Sequence, residues 1–249
     1  MNWLIQQHLY ALEQRPGAAD LLEAALAILA DGLPPDDHRV VRVNSDGLWL
    51  RDDKGDDLRL QQMSEGHRTI TALVADIMRQ LHLAYGSLRV TYDDGTPTLL
   101  YPGVVLVDEI ENHLHIGWQK RIGDWLKTHF PLVQFIVTTH SPYICQNADP
   151  NGLIALPGPN DPRGPYVIDQ DLYQRVVLGS GDDAILTELF GMDSPYSRHA
   201  DNLRRTLGDL EEQVLSGSAS RTAVDAYRTL SEILKSSLSA RVDEVSSRL

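Results

Sequence analysis

Cysteine is almost missing: Cys145 is the single one in 249 residues. One thiol excludes an internal disulfide framework and a Cys-rich zinc site, and it fits a reducing compartment. Long apolar runs are missing too. None approaches the ~20 residues needed to cross a bilayer, so no membrane partner is expected. The opening stretch MNWLIQQHLYALEQR has neither a basic n-region nor a continuous apolar h-region, which argues against a secretory signal and for a cytoplasmic location. Basic residues are scarce: 22 Lys and Arg stand against 35 Asp and Glu, a net charge of −13. A chain this acidic is a poor general binder of nucleic acid backbone, so nucleic acid contact is expected only indirectly or through a local basic face. What is present, 42% hydrophobic and 23% charged residues, is an ordinary globular balance. The length suffices for one large domain or two small ones with a real core.

Hydrophobic spacing organises the chain. Leu4, Leu9 and Leu12, then Leu21, Leu22, Leu26 and Leu29, recur at helical intervals with a break at Pro16–Gly17. Pro34–Pro35–Asp36–Asp37 closes that region. Residues 39–60 read as short strands around an Asp46–Gly47 turn. Residues 36–57 hold seven Asp and four Lys or Arg, as a solvated hairpin surface would. From Glu65 to Leu83 the period is helical again. Residues 88–92 suggest a strand. Val104–Val107 is a continuous apolar run, the pattern of a strand covered on both faces of a parallel sheet. Residues 116–129 read as one amphipathic helix and Val133–Val137 as a second apolar strand, which together make a βαβ unit. Residues 152–156 and 166–168 suggest further strands. Ser194–Pro195 reads as a helix start. Leu203, Leu207, Leu210 and Val214 form one stripe. Val224, Tyr227, Leu230, Leu234, Leu238, Val242, Val245 and Leu249 form another, so a helical hairpin is expected. The fold class is α/β.

Three segments carry candidate chemistry. Asp108 and Glu109 sit where an apolar strand ends, the edge at which open α/β sheets bind ligands. An Asp there can hold Mg²⁺ through water, and an adjacent Glu can orient or deprotonate an attacking water. Strand 133–137 runs into Thr138-Thr139-His140-Ser141-Pro142, and in a parallel unit His140 opens onto the same edge. Gln62-Met63-Ser64-Glu65-Gly66-His67-Arg68 precedes a helix whose first amides and dipole favour an anion. There Gly66 permits close approach and Arg68 adds positive charge.

Taken in order, these segments resemble a known family. Met63-Ser64-Glu65-Gly66 resembles the ABC signature, and Val104–Glu109 resembles Walker B with its catalytic glutamate. Glu111-Asn112-His113-Leu114-His115 with Trp118-Gln119 resembles the D-loop region. Thr138–Pro142 resembles the switch-histidine motif. The pattern is that of the C-terminal lobe of SMC/RecF/OLD-like ATPases, the ABC-class AAA-type proteins of bacterial DNA repair and anti-phage defence. It covers residues 60–156 and extends through ILTELFG and DSPYS. Met63 stands where Leu is usual and Ile116 where Pro is usual. No G-x-x-x-x-G-K-[ST] occurs, nor any Gly-Lys pair, so the cradle for the β- and γ-phosphates is missing.

The resemblance implies a P-loop NTPase-like lobe with a mostly parallel sheet, using ATP and Mg²⁺. It implies catalytic roles for Glu109 and His140. It implies nucleotide contacts by Ser64, Gly66, Arg68, Asp108 and Asn112, with Asp108 as metal ligand. Residues 1–60 would connect to or be left from the missing lobe, 61–170 would form the ATPase-like lobe, and 171–249 the C-terminal helical region. The implied partner is a second copy or another chain bearing Walker A, with an effector nuclease as a separate chain. The alternative is a non-hydrolytic scaffold that binds a complete ATPase. A metal nuclease built on Asp108, Glu109, Glu111, His113 and His115 is a weaker competitor. Lys120, Arg121 and Lys127 on one helix are the candidate basic face. Without the phosphate loop, the purified chain is expected to release phosphate from ATP more slowly than ~1 s⁻¹, the low end for enzymes; a rate at or above that in a steady-state assay contradicts the expectation.

Overall fold

The computed structural model describes residues 2–33, 38–158 and 162–234. Pro34–Asp37, and with them the expected close of the first helical region, lie outside the described residues. The chain divides into two compact units, Met1–Ala184 and Ile185–Leu249.

The first unit opens with α1 (Asn2–Leu12) and α2 (Ala18–Ala30), separated where expected. Gly17, at φ 76°, sits in the left-handed region that glycine adopts at no steric cost. Strands β1 (His38–Asn44), β2 (Gly47–Asp52) and β3 (Asp57–Arg59) form an antiparallel meander. At its tight turn the Asn44 side-chain oxygen accepts from the Asp46 amide at 2.9 Å and from the Trp49 indole at 2.8 Å. Asp57 accepts from Arg51 and Arg42, each at 2.6 Å. These hydrogen bonds, the Arg51 one first, hold its carboxyl at about 2, below the ordinary 3.8.

The long helix α3 (Glu65–Tyr85) buries Ile70, Val74, Ile77, Met78 and Leu81. These side chains join Leu4, Ile28 and Leu29 from α1 and α2, and Leu48 and Leu50 from β2, in one core. Residues 1–60 are thus part of the same packed body as the segments that follow. The short hairpin β4 (Thr91–Asp93) and β5 (Thr96–Thr98) comes next, so the strand expected at 88–92 starts later than the sequence suggested.

Strands β6 (Gly103–Val107) and β7 (Val133–Val137) pair in parallel with Val107 opposite Val137. This is the only parallel pairing among the described residues; the remaining sheets are small and antiparallel. Parallel pairing is therefore confined to one strand pair of an α/β chain. The expectation that Val104–Val107 is covered on both faces needs correction. Val105, Val107, Phe135 and Val137 pack against the core. Val104, Leu106 and Ile136, on the alternate positions, are 60%, 76% and 48% exposed. Among the described residues of this unit, one layer of side chains covers the pair, and the other apolar face is bare.

The crossover is not one helix. A turn at Lys120–Arg121 divides it into α4 (Ile116–Gln119) and α5 (Ile122–His129). The His115 ring caps α4 from the N-cap position, so Ile116 serves as first helical residue where the resemblance leads one to expect Pro. The three basic residues do not form a face. Lys120 lies over the Tyr143 ring and Arg121 over Trp118. Lys127 bonds the Asn147 carbonyl and Asp149, each at 3.0 Å. Beyond β7 come α6 (Pro142–Cys145), the paired β8 (Ile154–Ala155) and β9 (Tyr166–Val167), α7 (Gln170–Val177) and α8 (Gly181–Ile185).

The second unit is a hairpin of α9 (Arg198–Leu215) and α10 (Arg221–Ile233). Its start also needs correction. Ser197, not Ser194, caps α9 by accepting from the Ala200 amide, because the Ser194 hydroxyl is engaged by the Tyr196 amide and Asp201. The expected stripes are half-buried, with no fully buried residue on either helix. Leu238, Val242, Val245 and Leu249 lie outside the described residues. Among the described residues, no helix is long and apolar enough to cross a membrane.

One polar tie joins the end of α2 to α5. His129 is 3% exposed and stacks on Trp125 at 4.0 Å. Its Nδ1 meets the Trp125 carbonyl and its Nε2 meets the Asp31 carboxylate, each at 2.9 Å. The Trp125 indole donates to the Asp31 carbonyl at 2.7 Å. Asp31→Ala leaves a buried ring nitrogen without its partner, and a loss of ~1–3 kcal/mol in unfolding free energy is expected, read as a lower urea midpoint; an unchanged midpoint would show the tie to be idle.

Candidate functional site

Register places the site. Because β6 and β7 run parallel and end level, their following segments leave the sheet together. Thr138 joins them. Its amide donates to the Val107 carbonyl at 3.0 Å, and its own carbonyl accepts from Ile110 at 3.2 Å. Its hydroxyl oxygen accepts from the Glu109 amide at 2.8 Å, and the hydroxyl donates to the Asp108 carboxylate. Thr138 thus fixes both acidic residues from the neighbouring strand. It lies within the switch-histidine segment, but spacing gives no hint of this role; the signal available was a polar residue directly after an apolar strand.

Glu109 has φ 48° and His113 φ 65°, both in the left-handed region. Such backbone costs ~1–3 kcal/mol for a residue with a Cβ and persists only where its surroundings impose it. Here the Thr138 bond and the Asn112 amide, which donates to Glu109 Oε2 at 2.7 Å, hold Glu109 in place. The Glu111 carboxylate accepts from the His140 amide at 2.6 Å. The Ser141 hydroxyl donates to Gln119 at 2.6 Å, and Gln119 donates to the Leu114 carbonyl at 2.9 Å. The segments 108–115 and 138–142 are therefore laced together, with Asp108, Glu109, Asn112 and His140 all exposed at the strand ends. The sequence offers Glu111 only as a D-loop and metal-nuclease residue and Gln119 only as part of the D-loop region; their lacing roles are not marked, since a single chain does not say which polar side chains bond to backbone.

The start of α3 joins the same lacework. A Cβ built on Gly66 would run into the His113 carbonyl oxygen, so glycine is needed here for contact within the chain. Glu65 lies 3.5 Å from His113. Ser64 Oγ is 2.8 Å from His67 Nδ1, and the Trp118 indole donates to His67 Nε2 at 3.3 Å. Arg68 is exposed in the first turn. Cys145 is buried near Glu111. Burial, and then the Glu111 charge, push its thiol up to about 11, so it is a packing residue and a poor nucleophile.

Among the described residues no three His, Cys, Asp or Glu side chains gather as a metal site. His113 faces Glu65 and His115 caps α4, so each imidazole of the metal-nuclease reading has a partner of its own within the chain.

An AAA domain is the class to which this chain is assigned by comparison with known families. Residues 8–146 match the family described as "AAA domain, putative AbiEii toxin, Type IV TA system", and the chain belongs to that family. It is 44% identical over 99 residues to the Retron Ec83 probable ATPase of Escherichia coli, covering 40% of this chain and 17% of that protein. It is 26% identical over 199 residues to the Septu protein PtuA of Bacillus thuringiensis, covering 79% of this chain and 48% of that protein. The chain thus spans less than half the length of these relatives. A solved structure described under "ATP-driven dimerization and DNA stimulated activation of SMC ATPases" superposes with TM-score 0.42 at 23% identity, covering 61% of this chain and 86% of the other.

Gly66→Ala is expected to lower stability by ~1–3 kcal/mol through overpacking and to speed amide exchange at Leu114. Gly208→Ala, in open space on α9, serves as the neutral control in the same exchange experiment. Equal behaviour of the two variants would contradict the close packing of Gly66.

Proposed function

We propose that this chain is the ATP-binding and ATP-hydrolysing component of an ABC-class, SMC/RecF/OLD-like ATPase of bacterial DNA repair or anti-phage defence. It works with a lobe or partner chain that supplies the phosphate loop. One observation carries the reading: level parallel strands bring Asp108, Glu109 and His140 to one edge, in a sequence with no phosphate loop. The bare apolar face of the same strand pair supports a covering lobe, since parallel strands are ordinarily covered on both faces. The family and the relative named a probable ATPase support the activity.

In this reading Glu109 is the general base for the attacking water, and Asn112 fixes its carboxylate. His140 contacts the terminal phosphate or the water. Ser64, Gly66 and Arg68 meet a nucleotide held by an opposing subunit in a homodimer or hetero-oligomer. Residues 61–170 are the catalytic lobe, residues 1–60 pack into its core and connect it to the phosphate-loop lobe, and 171–234 are mainly helical. An effector nuclease is a separate partner, and contact with nucleic acid is indirect.

The donor set fits Mg²⁺. Thr138 takes one Asp108 oxygen and leaves the other to an ion that draws most of its ligands from water and phosphate. When bound, the ion neutralises charge on the phosphates.

The test is turnover by the chain together with the phosphate-loop chain or segment. Glu109→Gln is expected to lower kcat by ~10²–10⁴-fold, the range for a general base. Unchanged turnover would favour the non-hydrolytic scaffold instead.

A further inference from the structure

We propose that His67, held by the Trp118 indole, is a positioning residue that turns the Ser64 hydroxyl hydrogen outward, toward a phosphoryl oxygen. The inference rests on the reading that Ser64 meets a nucleoside triphosphate.

The argument is one of donors and acceptors. An indole N–H can only donate. Trp118, 8% exposed and set edge-on to the His67 ring at 88°, donates to Nε2 at 3.3 Å. In that bond Nε2 carries no hydrogen, so the ring proton sits on Nδ1. Nδ1 lies 2.8 Å from Ser64 Oγ, and Nδ1–H must be the donor there. One lone pair of Ser64 is taken, and its own hydrogen is not used in this contact. Ser64 is also the N-cap of α3, yet its side chain bonds none of the helix amides, as an N-cap serine ordinarily does. The exposed hydroxyl is thereby set as a donor beside the first turn of a 21-residue helix, where an anionic oxygen is favoured.

The opposite tautomer would reverse this orientation. With the proton on Nε2, Nδ1 becomes an acceptor and draws the Ser64 hydrogen inward. Trp118 belongs to the segment that follows the D-loop, so the same contact ties the readiness of Ser64 to the position of residues 111–118.

Two measurements test the proposal. In long-range ¹H–¹⁵N spectra of the full chain, His67 is expected to show the Nδ1-protonated pattern, shifting toward the Nε2 form in Trp118→Phe. An Nε2-protonated ring in the unsubstituted chain overturns the proposal. In the complex with the phosphate-loop chain, Ser64→Ala and His67→Leu are each expected to raise the KM for MgATP about tenfold, the equivalent of one lost hydrogen bond to a charged group. His67→Asn, whose amide can still donate to Ser64, is expected to restore most of it. A purely structural defect would lower kcat without this KM change or its rescue, and that result overturns the proposal. If Ser64→Ala raises KM while His67→Leu does not, the relay alone is overturned. If Ser64→Ala leaves KM unchanged, the nucleotide reading of Ser64 falls and the ligand role of the relay falls with it.

Discussion

The hydrogen bonds of Thr138 close the parallel pair at its carboxyl end, and the geometry of the site depends on them. Its backbone extends the ladder by one residue on each side, through Val107 and Ile110. Its hydroxyl then does what the ladder cannot, accepting from the Glu109 amide and donating to Asp108. That pairing imposes the left-handed backbone at Glu109 and sends the chain back on itself, so that Asn112 can reach the Glu109 carboxylate and Glu111 can reach His140. A residue on one strand thereby sets the side chains that follow the other.

A second set of contacts carries this order to α3. The carbonyl of His113 presses on Gly66, and Trp118 reaches His67. Elements far apart in sequence, the start of a helix near residue 65 and the turn after a strand near residue 110, share one packed junction. Movement of either is resisted by backbone contact at Gly66 and by a short chain of side-chain hydrogen bonds. The core beneath, built from α1, α2, α3 and α5 with the meander, provides the fixed support.

Much of this was legible from residue spacing. The break at Pro16–Gly17, the turn at Asp46–Gly47, the reach of α3 and the two apolar strands all follow from local preferences that tertiary contacts do not override. The exposure of Val104, Leu106 and Ile136 was not legible, because an apolar run looks the same whether one face or both are covered. The turn at Lys120–Arg121 was hidden for a related reason: no glycine or proline marks it, and its cations settle on rings distant in sequence. At Ser194 two serines compete for one cap, and a hydrogen bond to Asp201 decides between them. At the site, the motif residues could be named from the sequence, but Thr138, Glu111 and His67 act through contacts that only the fold brings within reach.

The bare face of β6 and β7 has a further consequence for the life of the chain on its own. Among the described residues each strand has an unpaired edge, and such edges offer a row of amide and carbonyl groups to any extended segment nearby. Apolar side chains beside those edges strengthen the invitation. That surface is therefore the one on which aggregation of the chain would nucleate. The chain's own acidity, which keeps copies apart by repulsion, opposes that association.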